Sequence, residues 1–124
     1  MIRKPKILYV DDEKINLQLF VVNLEEKYNV LTAEGPQSGL QILEEHPDIK
    51  VVFSDMRMPS MNGVQFITLA KEKYPEIIFF ILTGYDITEE IQNAIDKGLI
   101  LKYISKPADM NKIAAEIENV INCG

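Results

Sequence analysis

Five times along this chain a short apolar, largely β-branched run gives way to a longer segment with helical spacing. The runs are Lys6–Val10, Asn29–Ala33, Ile49–Ser54, Glu76–Leu82 and Ile100–Ser105. The fourth contains Ile77-Ile78-Phe79-Phe80-Ile81-Leu82, which is apolar on both faces. A strand of that kind belongs inside a parallel sheet covered on both sides. Strict alternation of strand and helix implies right-handed crossovers and a layer of helices on each face. The expected fold is therefore α/β: a single doubly wound (βα)5 domain over residues 1–124, its five-stranded parallel sheet ordered 2-1-3-4-5.

The helical segments read as amphipathic. The first, from about Glu13 to Lys27, is expected to bury Ile15, Leu19, Val22 and Leu24. The second opens at Gly35-Pro36, turns Leu40 and Leu43 inward and ends near His46-Pro47. The third uses Val64, Ile67 and Ala70. Asp86 and Glu89 have the spacing of a helix N-terminus for the fourth, which uses Ile91, Ala94 and Ile95 and stops near Gly98. The last buries Ile113, Ile117, Val120 and Ile121.

A chain of 124 residues is long enough for one ordinary core without covalent staples. Its one cysteine, Cys123, reads as an inert tail or core residue rather than a nucleophile. No stretch approaches the ~20 apolar residues that cross a bilayer, and the first strand follows Met1–Pro5 with no apolar leader between. A soluble, cytoplasmic protein is the expectation, with no membrane partner. The net charge of −6 argues against direct contact with nucleic acid, which needs a basic patch.

In an open parallel sheet, ligands bind beyond the carboxyl ends of the strands. Strand 1 ends on Asp11-Asp12, strand 3 on Asp55, strand 4 on Thr83 and strand 5 on Lys106-Pro107. Taken singly, each is well explained as a polar residue that ends a strand or caps a helix. Together they bring three carboxylates to one edge, where repulsion calls for a proton or a cation. Hard oxygen ligands with room for water suit Mg2+. Such an ion would offset the charge of an incoming phosphoryl group, with Lys106 adding a second positive charge and Thr83 a hydroxyl donor. A carboxylate can itself be the nucleophile, giving an aspartyl phosphate.

Asp11-Asp12-Glu13 after a strand, Asp55-x-x-Met58-Pro59-x-Met61-Asn62-Gly63, Leu82-Thr83-Gly84 and Lys106-Pro107 together resemble the receiver domain of two-component response regulators. The resemblance covers essentially the whole chain. It implies a phosphorylation-dependent signalling switch rather than a metabolic enzyme, catalysing only its own phosphorylation and dephosphorylation. Asp55 would be the phosphoacceptor. Asp12, Asp55 and the backbone carbonyl of Arg57 would bind Mg2+ directly, and Asp11 through a water. Thr83 and Tyr103 would be the switch residues, Lys106 the phosphoryl ion-pair partner, and Gly84 would leave room for the donor. The implied partners are a sensor histidine kinase or phosphotransfer protein, an effector domain or downstream protein, and a second copy of the chain on activation through helix 4, strand 5 and helix 5.

Two departures from the family pattern stand out. Leu99-Ile100-Leu101-Lys102 is one residue longer than the commonest spacing between the helix 4 glycine and the strand 5 aromatic, as in receivers resembling those joined to cyclic-dinucleotide phosphodiesterases. Arg57 sets a cationic side chain at the pocket mouth, where it is expected to influence autodephosphorylation. The competing readings are an aspartyl-nucleophile phosphatase of the haloacid-dehalogenase type, whose second aspartate is replaced here by Arg57, and a receiver that binds partners without phosphate. His46 reads as a surface histidine near a helix C-terminus, and Met56, Met58 and Met61 as loop packing. Only Asn122-Cys123-Gly124 follow the last core residue, so the sequence names no output; a stand-alone regulator and a receiver of a longer chain both remain open.

Overall fold

A computed structural model describes residues 4–84 and 86–122; Cys123 lies outside them. The elements run β1 (Lys6–Val10), α1 (Lys14–Leu24), β2 (Asn29–Ala33), α2 (Pro36–Glu45), β3 (Val51–Asp55), α3 (Gly63–Lys73), β4 (Ile78–Thr83), α4 (Glu89–Asp96), β5 (Lys102–Ser105) and α5 (Met110–Asn122). The strands form one parallel sheet of order β2-β1-β3-β4-β5, as the alternation predicts.

Successive strand residues point to opposite faces, and both faces are apolar. Leu8, Val10, Val52, Phe79 and Ile81 meet Leu43 of α2, Val64, Phe66, Ile67 and Ala70 of α3, and Ile91 and Ala94 of α4. On the other side Ile7, Tyr9, Val51, Phe53, Phe80 and Leu82 meet Leu17, Phe20 and Leu24 of α1 and Ile113 and Ile117 of α5. Val120 and Ile121 are only partly buried against that second layer.

Helix α1 departs from its sequence reading. It turns Leu17, Phe20 and Leu24 inward and leaves Ile15, Leu19 and Val22 exposed at 60%, 52% and 71%. The helix carries apolar residues on every side, so spacing alone offers two inward faces. The bulk of Phe20, wholly buried between Tyr9 and Phe53, selects the other one.

Helix α4 also starts later than the Asp86 spacing predicts. Its N-cap is Thr88, whose hydroxyl accepts from the backbone N–H of Ile91 at 3.2 Å. Glu89 and Glu90 then fall in the first turn, where the helix dipole favours them. At the other end Gly98 adopts φ +77°, the N–H of Gly98 donates to Ile95 O and that of Leu99 to Ala94 O. This double closure needs a left-handed residue after the helix, which glycine adopts freely. The longer segment that follows buries Ile100, leaves Leu101 exposed, and delays β5 to Lys102 rather than Ile100. Likewise β3 begins at Val51, two residues past the predicted Ile49, which is buried without joining the ladder.

Candidate functional site

The pairing of Val10 with Ser54 brings the next residues of both strands, Asp11 and Asp55, together. Asp55 pairs with Leu82, Thr83 with Ser105, and Lys106 donates its backbone N–H to Thr83 O at 2.8 Å. Four of the predicted site residues thus meet at the strand tips: Asp11 and Asp55 with the Thr83 and Lys106 ends of β4 and β5. Asp11, Asp55 and Thr83 are buried, while Asp12 is exposed at the rim. Carboxylate oxygens of Asp11, Asp12 and Asp55 all lie within 4.8 Å of one another. Lys106 Nζ stands 3.1 Å from Asp55 Oδ1 and 3.3 Å from Asp11 Oδ2. The Lys106–Pro107 peptide bond is cis.

Asp11 is held by four donors. Its Oδ1 accepts from the Glu13 backbone at 2.9 Å. Its Oδ2 accepts from Tyr9 Oη at 2.6 Å, Asn16 Nδ2 at 3.1 Å and Lys106 Nζ at 3.3 Å. Sequence reading missed Tyr9 and Asn16. The signal for Tyr9 was the strand period: a residue two positions before a strand-end carboxylate projects to the same face. Asn16 lies on α1, and only the docking of that helix brings it to Asp11.

Burial pushes the Asp55 carboxyl above its usual range, reinforced by the charge of Asp11 and opposed by Lys106. Burial also pulls the Lys106 ammonium down, but Asp55 and Asp11 outweigh it and hold that group above its usual value. One ammonium therefore serves two buried carboxylates, and desolvation costs Asp55 more than Lys106 returns. Burial and the Asp11 bond push the Tyr9 hydroxyl far above the ordinary tyrosine range, so it remains a donor.

This arrangement makes Lys106 the stabilising cation of the pocket, and Lys106→Met is expected to lower stability by about 2–3 kcal/mol at neutral pH, because it strands two buried charges. A lysine held above its usual value contributes fully below ~10.4 and loses the contribution only above that. Protonation of the stranded carboxylates should shrink the deficit as pH falls through the carboxylate range. Urea melts of both proteins at neutral and acid pH check this; a constant deficit would point to lost packing of the lysine stem.

Tyr103 stands in β5 opposite Ile81, two positions before the strand tip and 38% exposed, outside the carboxylate group. Arg57 is exposed beyond β3. Met56, Met58 and Met61 pack against the core, as expected of loop packing. His46 ends α2 with its Nδ1 3.2 Å from Lys6 Nζ. Among the described residues no helix is long and apolar enough to cross a membrane.

The family model of the response regulator receiver domain matches residues 7–118. The chain belongs to that family. This receiver is 31% identical over 105 residues to the hydrogenase transcriptional regulatory protein HoxA of Cupriavidus necator, covering 85% of the chain and 22% of HoxA. It is 27% identical over 116 residues to a cyclic di-GMP phosphodiesterase of Thermotoga maritima, covering 93% of the chain and 30% of that protein. The chain thus spans less than a third of either relative. Among solved structures, the signal receiver domain of an HD domain-containing protein from Pseudomonas fluorescens matches with a TM-score of 0.87 at 28% identity, covering 97% of this chain and 96% of that one. The receiver is a signalling module of two-component response regulators.

Proposed function

We propose that this receiver accepts a phosphoryl group on Asp55 and that Mg2+ is the cofactor of the transfer. The observation that carries the reading is the strand-tip group itself: a buried carboxylate facing one lysine and two further carboxylates. The donor set fits the ion, being all oxygen, partly open through exposed Asp12, and over-charged for a single ammonium. Asp12, Asp55 and the Arg57 carbonyl would hold it, with Asp11 acting through water. When bound, the ion supplies positive charge for the phosphoryl oxygens.

The chain's own residues do the rest. An Asp55 oxygen attacks phosphorus, the bond from phosphorus to the donor's leaving group breaks, and that group departs with the bonding electrons. Lys106 holds Asp55 in place and faces the phosphoryl oxygens as they arrive. Thr83, buried at the end of β4, supplies a hydroxyl that draws on the phosphoryl group and biases α4 and β5 toward an active form. Gly84 leaves an opening beside it, the nearest atom to an added Cβ there being Lys106 Cβ at 3.9 Å.

The proposed donor is a sensor histidine kinase or phosphotransfer protein. A surface for it is at hand: Ile15, Leu19 and Val22 form an exposed apolar line on α1, a helix with no charged residue between Lys14 and Glu25. That line starts beside Asn16, which bonds Asp11, so a protein seated there reaches the pocket. The output is proposed to pass through the α4–β5–α5 face to an effector or to a second copy of the chain.

The test is incubation with acetyl phosphate, with Mg2+ or with chelator, followed by intact mass and peptide mapping. A labile single phosphoryl adduct on Asp55 that requires Mg2+ is the expected result. No adduct from acetyl phosphate or from any histidine kinase would favour a receiver that binds partners without phosphate.

A further inference from the structure

We propose that Tyr9 is a positioning residue for the cation site, its buried hydroxyl fixing the Asp11 carboxylate in the orientation that lets it share an ion with Asp12 and Asp55. The inference rests on the Mg2+ reading above and adds to it a residue that does not itself touch the ion.

Tyr9 lies on β1 and Asp11 just past its end, two residues on, where the strand period carries both to the same face of the sheet. Every other described residue of that strand between Ile7 and Val10 is aliphatic and wholly buried. The packing of the strand requires only an apolar ring or chain at position 9; the hydroxyl is an addition, and its hydrogen bond goes to Asp11 Oδ2 at 2.6 Å. This is shorter than the contacts to that oxygen from Asn16, at 3.1 Å, and Lys106, at 3.3 Å.

The three side chains also differ in how firmly they are held. Lys106 is shared with Asp55 and, on the proposed reading, turns to the phosphoryl group. Asn16 is half-buried at the start of α1. The Tyr9 ring is locked: its centroid is 4.4 Å from Phe20, which is 5.4 Å from Phe53, which stacks on Phe80 at 4.9 Å. This aromatic row crosses the sheet and anchors the hydroxyl to the core. Tyr9 is itself only 3% exposed, so water cannot take the place of its hydroxyl without entering the core. A carboxylate held by a fixed donor keeps its remaining lone pairs directed, which is how outer partners tune a metal site.

Tyr9→Phe removes the hydroxyl and leaves the ring to pack. The expected result is a loss of divalent-cation affinity of about tenfold, read by titrating Mn2+ and following free ion by electron paramagnetic resonance. The same substitution in an Asp11→Asn background should change affinity by less than about twofold, since the hydroxyl acts through that carboxylate. An equal loss in both backgrounds would make Tyr9 a packing residue and overturn the inference, as would unchanged or tighter binding in the single variant. A parent protein that binds no divalent ion would overturn the cofactor reading first, and the role of Tyr9 with it.

Discussion

Asp55→Asn is expected to take up no phosphoryl group from acetyl phosphate at any Mg2+ concentration and, without metal, to melt a few degrees higher than the parent. The first effect follows from position. Asp55 is buried, and of the three clustered carboxylates it shares Lys106 only with Asp11. Asp11 is already engaged by four donors. Asp12 lies exposed at the rim, and the ion pairs of Lys106 are with Asp55 and Asp11. The loss should therefore be complete rather than partial, and an adduct that moves to another carboxylate would overturn Asp55 as acceptor.

The second effect follows from linkage. Burial raises the folded-state value of the Asp55 carboxyl above its unfolded value, so the folded protein binds more protons in that interval. Stability then falls as pH rises from ~3.9 through the raised value, and the cost is complete at neutral pH. Asparagine keeps the shape without the charge, and relief on the order of 1 kcal/mol is expected. Melting both proteins in chelator across the acid range reads it directly. The gap should close as pH falls through the carboxylate interval; a gap that opens in acid would mean that Lys106 more than offsets the burial of Asp55.

The fold was legible because its signal repeats. Five strand runs, one of them apolar on both faces, leave little besides a parallel sheet between two helical layers, and the observed order matches. The bounds of β1 and β2 also agree with the sequence reading. What escaped is where one pattern admits two structures. The segment Ile15–Leu24 has seven apolar residues among ten, and only packing of Phe20 decides which of them face in. Asp86 and Thr88 both suit a helix start, and the choice falls to Thr88, which places Ile91 and Ala94 against the sheet. At the site, strand ends pointed to Asp11, Asp55, Thr83 and Lys106, because strand order makes their tips neighbours. The hydrogen bonds from Tyr9 and Asn16 were less visible, since each depends on how a ring or a helix docks rather than on a strand end.

The glycine that closes the loop after Asp55 has a purely spatial reason, and Gly63→Ala should destabilise the domain by about 3 kcal/mol. Gly63 opens α3 and donates its N–H to Met56 O at 2.8 Å, pressing the helix start against the end of β3. A Cβ there would lie 2.5 Å from Asp55 O, 2.6 Å from Ile81 Cδ1 and 3.2 Å from Met56 Cα. The first and last of these are backbone atoms, so relief requires the helix to move off the strand. Alanine's advantage in helix propensity, about 1 kcal/mol, acts the other way and is too small to win. Two other glycines calibrate the effect. At Gly39 a Cβ meets the Phe66 ring at 3.0 Å and Val10 Cγ2 at 3.1 Å, side chains that can yield a little; at Gly84 it meets only Lys106 Cβ at 3.9 Å. The order of destabilisation should be Gly63 first, Gly39 next and Gly84 least, with the Gly63 variant melting on the order of 10 °C below the parent. Because the displaced backbone belongs to Asp55 itself, that variant should also lose phosphorylation even where it remains folded. A Gly63→Ala protein that melts with the parent would mean that the helix start relaxes away from β3 at little cost, and that close approach is not what position 63 requires.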